Sequence, residues 1–301
     1  MTIPYAANPF QITDEDGFFV FSDLDLGTYY LKEAMTTEQA AAYQQTAPIP
    51  NKFEITVTEE NDEVLDLEFG NVALSKITVE KQDDQGETLG DWEFKLFKFI
   101  GDPEDEEELE DEAFWELLDT QTTDLEEDDG IVTFDGLLPG LYQVRETLKT
   151  GWAHLFPTDG IEEVTITAGS TEVLVFSNVE LGKISVEKQD DEGTTLGGWE
   201  FKLFMYDEES EEEEEEDKWV LIDTKTTDLN VDGGVVTFDN LMPGLYEVRE
   251  TLKTGWAFVD PIDGIIEVNL GAGDVEDLTF TNIELGKISV EKQDDEGTTL
   301  G

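Results

Sequence analysis

The chain has no cysteine and one histidine in 301 residues, and its 17 lysines and arginines face 75 aspartates and glutamates. Without cysteine, neither disulfides nor thiolate metal sites can brace the fold, so an exported protein of this composition needs another staple. The shortage of basic residues gives a formal charge of −58. Such a surface repels nucleic acid and anionic membranes and favours cations, high salt or wide spacing between molecules, so nucleic-acid function is set aside. No apolar run approaches the roughly 20 residues that span a bilayer, and no membrane insertion is expected. The N-terminus MTIPYAANPF has no basic region followed by an apolar stretch, so either a leader has been removed or the sequence begins inside a longer chain. No phosphate loop, dinucleotide fingerprint or nucleophile arrangement stands out, so an enzyme that turns over substrate is not expected. The lone His154, in the apolar turn region GWAHLFP, reads as a packing residue, and Trp152 and Trp256 after equivalent turns read as core or corner residues rather than ligand platforms.

Hydrophobic residues make up 38% of the chain and aromatics 10%, enough for packed cores and against a disordered acidic polymer. The dominant feature is repetition. KISVEKQDDEGTTLG occupies 183–197 and returns letter for letter at 287–301, with a close copy, KITVEKQDDQGETLG, at 76–90. Lys81, Lys188 and Lys292 are spaced by 107 and then 104 residues, and Asn71, Asn178 and Asn282 keep the same spacing. In the second full repeat, short alternating runs separated by turn residues predict strands at 183–188, 199–205, 218–225, 234–239, 244–250, 264–270 and 276–282, and ProGly, at 139–140 in the first repeat and 243–244 in the second, marks the turn into the fifth strand. Only Thr37–Gln45 has helical periodicity.

The fold class expected is all-β: tandem Ig-like or prealbumin-like β-sandwich domains in a linear array joined by very short linkers such as VELG. The divisions are an incomplete domain at 1–73, repeats at 74–180 and 181–285, and a spare first strand at 286–301. Residues 1–73 hold the later parts of the repeat, because GFFVFSDLDLGTYYLKE aligns with GVVTFDNLMPGLYEVRE and DLEFGN with DLTFTN. TIPYA can serve as a second strand there. What that domain lacks is the first strand with its lysine.

Strand parity turns polar residues inward. Ile184, Val186 and Lys188 share a face, as do Tyr246, Val248 and Glu250, and Leu278, Phe280 and Asn282. The first full repeat gives Lys81, Glu146 and Asn178 in the same way, and the incomplete domain gives Glu33 and Asn71. An ammonium among aliphatic side chains is costly unless it is paired, neutralised or consumed.

The order VEKQDDEG, GGWEFKLF, FDNLMPGLYEVRE followed by GW, and finally FTN resembles the Cna-B or SpaA-like (prealbumin-fold) domains of microbial surface proteins and pilins. The resemblance implies a spontaneous isopeptide bond between a first-strand lysine and a last-strand asparagine, assisted by a glutamate. By position these are Lys81 to Asn178 with Glu146, and Lys188 to Asn282 with Glu250. The alternative is a buried Lys–Glu pair with the asparagine hydrogen-bonded nearby. Lys292 of one chain could likewise reach Asn71 and Glu33 of the next. Each domain reacts once, so this is maturation and not turnover.

Two acidic hairpins, 102–112 and 207–217, read either as solvated loop tips or as combs that collect cations. Asp228, Asn230 and Asp232 in DLNVDGG are spaced like the first half of a calcium loop, with Asp239 as a late ligand, so calcium is the one candidate cofactor. The counterpart DLEEDDG has Asp129 where a loop glycine belongs, and a tight hairpin turn is the competing explanation.

These features imply a structural protein outside the cell or on its surface. It would be a subunit of a stalk, pilus or filament whose partners are identical subunits, joined head to tail as residues 287–292 of one chain complete 1–72 of the next. The alternatives are a ligand-binding adhesin using loops such as 36–50, or a window of a longer repeat protein acting as a spacer.

Overall fold

The computed structural model describes residues 10–60, 64, 67–127, 129–208, 210, 218–293 and 295–299. The expected strand TIPYA and most of the second acidic hairpin lie outside them. The described residues contain strands β1 to β20 and two short helices, α1 (Thr37–Ala42) and α2 (Glu106–Glu110).

The last repeat is clearest. Its strands are β13 (Gly182–Asp190), β14 (Glu200–Tyr206), β15 (Trp219–Thr226), β16 (Val235–Leu241), β17 (Gly244–Glu250), β18 (Trp256–Asp260), β19 (Ile265–Leu270) and β20 (Val275–Glu284). They form two four-stranded sheets, in the orders β16-β13-β20-β18 and β15-β14-β17-β19. One face of each sheet buries the core, in which Ile184, Val186, Phe201, Leu203, Val248 and Phe280 have no exposed surface. Each such side chain stabilises the fold by about 1.5–3 kcal/mol relative to an exposed one. Along β13, exposed Lys183 lies between buried Gly182 and buried Ile184, as a half-buried strand requires.

The first and last strands of the repeat lie side by side in the interior of one sheet. They pair in parallel, with Lys188 beside Phe280 and Asp190 beside Asn282, whereas the other ladders of this repeat are antiparallel. A parallel pair needs a long connection, and here the connection is the rest of the domain.

The preceding repeat has the same plan, with β5 (Ser75–Gln82), β6 (Glu93–Phe99), β7 (Trp115–Thr122), β8 (Ile131–Leu137), β9 (Gly140–Glu146), β10 (Trp152–Phe156), β11 (Ile161–Ile166) and β12 (Thr171–Glu180). Its sheets run β10-β12-β5-β8 and β11-β9-β6-β7. The short α2 falls in the first acidic hairpin and is capped by Asp105, which accepts from the amide of Glu107.

Two local expectations need correction. GWAHLFP and GWAFVD are not corners but edge strands, β10 and β18, paired antiparallel with the last strand of each repeat. A bulge after His154 and after Phe258, followed by proline, breaks the alternation that would reveal a strand. The helix also ends earlier than its periodicity implies. Thr36 and Gln39 close a reciprocal cap at its start, but from Tyr43 the chain is extended because it pairs with the last strand of this region.

Residues 10–73 carry β1 (Gly27–Leu31), β2 (Tyr43–Ala47), β3 (Phe53–Val57) and β4 (Gly70–Ala73), paired β1-β3 and β2-β4. These match the pairs β17-β19 and β18-β20, which need no first strand. The segment 17–23, counterpart of β16, is not a strand, and its natural partner would be a first strand. Val57 is the only buried side chain among the described residues of 10–73. At the other end, residues 287–292 are not in a strand, and Ile288 and Val290 are 91% and 88% exposed.

Candidate functional site

Lys188, Glu250 and Asn282 arrive in one buried place from three strands. Lys188 projects inward from β13 after Ile184 and Val186, Glu250 ends the inward row Tyr246, Val248 on β17, and Asn282 follows Phe280 on β20. Lys188 and Asn282 have no exposed surface. Lys188 Nζ lies 3.8 Å from Glu250 Oε1, and Asn282 Nδ2 donates to that same oxygen at 2.5 Å. Lysine and asparagine therefore converge on one carboxylate oxygen.

The amine is held by more than charge. Lys188 Nζ donates to the carbonyls of Gln189 and Phe280, each at 3.0 Å. A neutral amine has two N–H groups and one lone pair, so these carbonyls occupy both donors and leave the lone pair uncommitted. The ring of Trp199 lies 4.6 Å from Nζ, and Trp256 meets that ring edge-on at 5.3 Å. Lys253 stands 4.6 Å from the same ring. These tryptophans exclude water from the amine.

Burial sets the electrostatics. Desolvation pushes the Lys188 amine down to about 8, with Glu250 and Asp190 opposing. It pushes the Glu250 carboxyl up, with Lys188 and the Asn282 hydrogen bond opposing. Both shifts favour the uncharged partners, an amine beside a carboxylic acid. Glu250 Oε2 and Asn282 Oδ1 are buried acceptors without a hydrogen bond among the described residues. A proton on the carboxyl turns one acceptor into a donor, which can then serve the amide oxygen.

The backbone fixes the acid. The Glu250 amide donates to Gly264 O at 2.8 Å, and Gly264 has φ +73. A Cβ there would come within 2.4 Å of Phe258, the residue paired with Asn282. Glycine at 264 thus lets the acid's anchor and the asparagine's strand partner pack together.

The preceding repeat places its residues alike. Lys81 Nζ is 3.5 Å from Glu146 Oε1 with both side chains fully buried, and the ammonium lies 4.5 Å from the Trp92 ring. Asn178, also without exposed surface, stands on β12 in register with His154. In residues 10–73, Asn71 Nδ2 donates to Glu33 Oε1 at 2.8 Å. Lys292 near the other end is exposed.

Trp92 and Trp199 are site residues that parity did not single out. Their signal is the tryptophan of DWEF and GWEF just before the second strand, at the same place in each repeat.

At the proposed calcium loop, Asp232 Oδ1 accepts the amides of Asp228 and Gly234, each at 2.8 Å, and Asp228 Oδ1 accepts the Asn230 amide at 2.8 Å. These carboxylates close their own turn, as Asx turns do. Among the described residues no group of acidic or histidine side chains is arranged to hold a metal, and the Asn230 side-chain amide donates to Asp228 Oδ1 at 3.4 Å. No described helix is long and apolar enough to cross a membrane.

A comparison with curated protein sequences returned no match. Among solved structures, the chain resembles a Streptococcal ancillary pilin at 19% identity and TM-score 0.34, covering 86% of this chain and 76% of that one. It resembles the shaft pilin SpaA from Lactobacillus rhamnosus GG at 14% identity and TM-score 0.31, covering 72% of this chain and 100% of that one. It resembles the Bacillus anthracis TIE protein at 17% identity and TM-score 0.31, covering 83% of this chain but 44% of that one, so it spans less than half of that protein's length. The family profile described as "SpaA: Prealbumin-like fold domain" matches residues 75–179 and again 182–284. With two such matches over most of its length, the chain belongs to the SpaA prealbumin-like fold family.

Proposed function

We propose that the protein is a structural subunit of an extracellular pilus, stalk or filament, locked by Lys–Asn isopeptide bonds within its domains and assembled head to tail by donated strands. The observation that carries this reading is the shared carboxylate: Lys188 and Asn282 both engage Glu250 Oε1 in a site without water access. The neutral Lys188 amine attacks Asn282 Cγ while protonated Glu250 polarises the amide oxygen. The Nζ–Cγ bond forms, the Cγ–Nδ2 bond breaks, and Glu250 passes a proton from the amine to the departing ammonia. Lys81, Glu146 and Asn178 take the same roles in the preceding repeat.

Two matching segments support head-to-tail joining. The segment 287–292 repeats the sequence of β13's inward face, and residues 17–23 hold the counterpart of β13's partner without a strand of their own to pair with. Donating one to the other satisfies an exposed edge, and such a heterologous contact propagates into a fibre.

Intact mass tests the bonds: one ammonia is lost for each of the two complete domains. An unshifted mass removes the cross-linked reading, and electron microscopy showing only isolated particles removes the filament.

Titration supplies a second test. In Asn282→Ala, which cannot form the bond, Lys188 keeps a folded-state pKa near 8 against about 10.4 unfolded. The unfolded chain then binds more protons between these values, so stability rises with pH across that window, by about 3 kcal/mol in all. Below pH 8 the penalty is fully present. Glu250, raised in the fold, acts oppositely at lower pH, since stability falls as pH climbs from the ordinary carboxylate value through the raised one. In the parent the lysine is an amide, and urea unfolding should show no rise from pH 8 to about 10.4.

A further inference from the structure

Residues 10–73 contain two-thirds of a cross-linking site. Asn71 Nδ2 donates to Glu33 Oε1 as Asn282 Nδ2 does to Glu250 Oε1, and Glu33 Oε2 is buried without a hydrogen bond, as Glu250 Oε2 is. Asn71 faces Gln45 just before a bulge, and Asn282 faces Phe258 just before one. Asp23 has φ 58, the same as Asn240 at the end of β16, so the counterpart of β16 already bends where a first strand would meet it. The difference is cover. Asn282 has no exposed surface, whereas Asn71 is exposed, and among the described residues the partner of Glu33 is Asn71 rather than a lysine.

The missing part exists elsewhere in the sequence. Residues 287–292 are identical to 183–188, and the turn that follows is already formed. Gln293 bridges Thr299 as Gln189 bridges Thr195, and Thr299 Oγ1 donates to Glu291 as Thr195 Oγ1 does to Glu187. Ile288 and Val290 are exposed, although their twins Ile184 and Val186 have no exposed surface.

We propose that Glu33 and Asn71 form an acceptor half-site for Lys292 of a second copy of this chain, and that the two copies become covalently joined there. This rests on the strand-donation reading above and adds a bond to it. Transferring the ladders of β13, Ile288 pairs opposite Phe21 and Val290 opposite Phe19, while Lys292 lies beside Phe69 on the other side. The arriving strand covers Asn71 and brings an amine to Glu33. Lys292 Nζ bonds to Asn71 Cγ, the Cγ–Nδ2 bond breaks, and ammonia leaves with a proton relayed from the amine by Glu33. No cofactor or oxidant is needed. The filament is then continuous through covalent bonds, since each copy carries one donor lysine and one acceptor pair.

The experiment uses the full chain at high concentration, with boiled denaturing electrophoresis, native microscopy and mass spectrometry of proteolytic fragments. The parent should give a ladder of multimers and a fragment linking Lys292 to Asn71. Asn71→Ala and Lys292→Arg should collapse the ladder to monomer while native filaments persist, because the donated strand remains. Ile288→Asp with Val290→Asp should abolish both. A Lys292→Ala chain mixed with a peptide of residues 287–301 should gain the peptide's mass less one ammonia. Native filaments from a parent that gives no ladder overturn the covalent bond and leave strand donation standing. A ladder that survives Asn71→Ala overturns the assignment of the site. Filaments that survive the double aspartate variant overturn strand donation itself, and a Lys292–Asn71 link found only in monomer overturns the second copy as partner.

Discussion

Asn282→Ala should show the mass calculated from its sequence over 182–284, where the parent should be one ammonia lighter than calculated, and should lower that domain's stability by roughly 4–5 kcal/mol, the value of closing a loop of about a hundred residues. For a domain of this size that is a fall in melting temperature of roughly 20–30 °C. The size follows from topology. Lys188 and Asn282 lie on β13 and β20, adjacent strands at the two ends of the repeat, so a bond between them would enclose nearly the whole domain and restrict its unfolded chain accordingly. The same placement matters for a filament. Under the proposed function, tension entering through β13 and leaving through β20 would pass across a Lys188–Asn282 bond, so the strands enclosed between them would carry no load. Asn282→Ala should therefore extend under force where the parent does not. Differential scanning calorimetry and single-molecule pulling measure the two effects, and a variant that melts and stretches like the parent would deny the bond.

The three-residue site was legible because side-chain parity is a local property. Lys188, Glu250 and Asn282 each continue a row of alternating apolar residues, so their inward direction follows from the two-residue period whatever the tertiary fold. The repeat lent its own support, since Lys81, Glu146 and Asn178 keep the same parity with altered neighbours. Edge strands were harder to read. β18 is mostly half-buried or exposed and is bulged before Pro261, so its pattern resembles a loop. Trp199 was out of reach for another reason. Parity with Phe201 and Leu203 turns it inward, but its place over the amine depends on how the two sheets pack. The aspartates of 228–232 carry a spacing with two readings. Their spacing suits calcium, but the same short side chains at the same spacing also cap a turn's own amides.

Glu250→Ala should be the most damaging single change in the domain, and its rescue separates a covalent site from an ion pair. Without the acid there is no group to polarise the amide or carry the proton, a loss of roughly 10²–10⁴-fold in rate, so the bond should fail to form on a laboratory timescale. The substitution also leaves Lys188 buried without its partner, which costs about 3–5 kcal/mol beyond the missing cross-link. Together these losses reach most of the stability of an ordinary domain, which is about 5–15 kcal/mol, so the domain should be largely unfolded at physiological temperature. Adding Lys188→Met removes the unpaired charge and keeps an unbranched side chain against Trp199, which should recover most of those 3–5 kcal/mol. If the parent held only a buried ion pair, this double variant would match it, since apolar replacements of such pairs are commonly neutral or stabilising. If the parent is cross-linked, the double variant should fold yet remain roughly 4–5 kcal/mol less stable, by the worth of the closed loop. Urea unfolding of parent, single and double variants, with intact mass on each, decides between these outcomes.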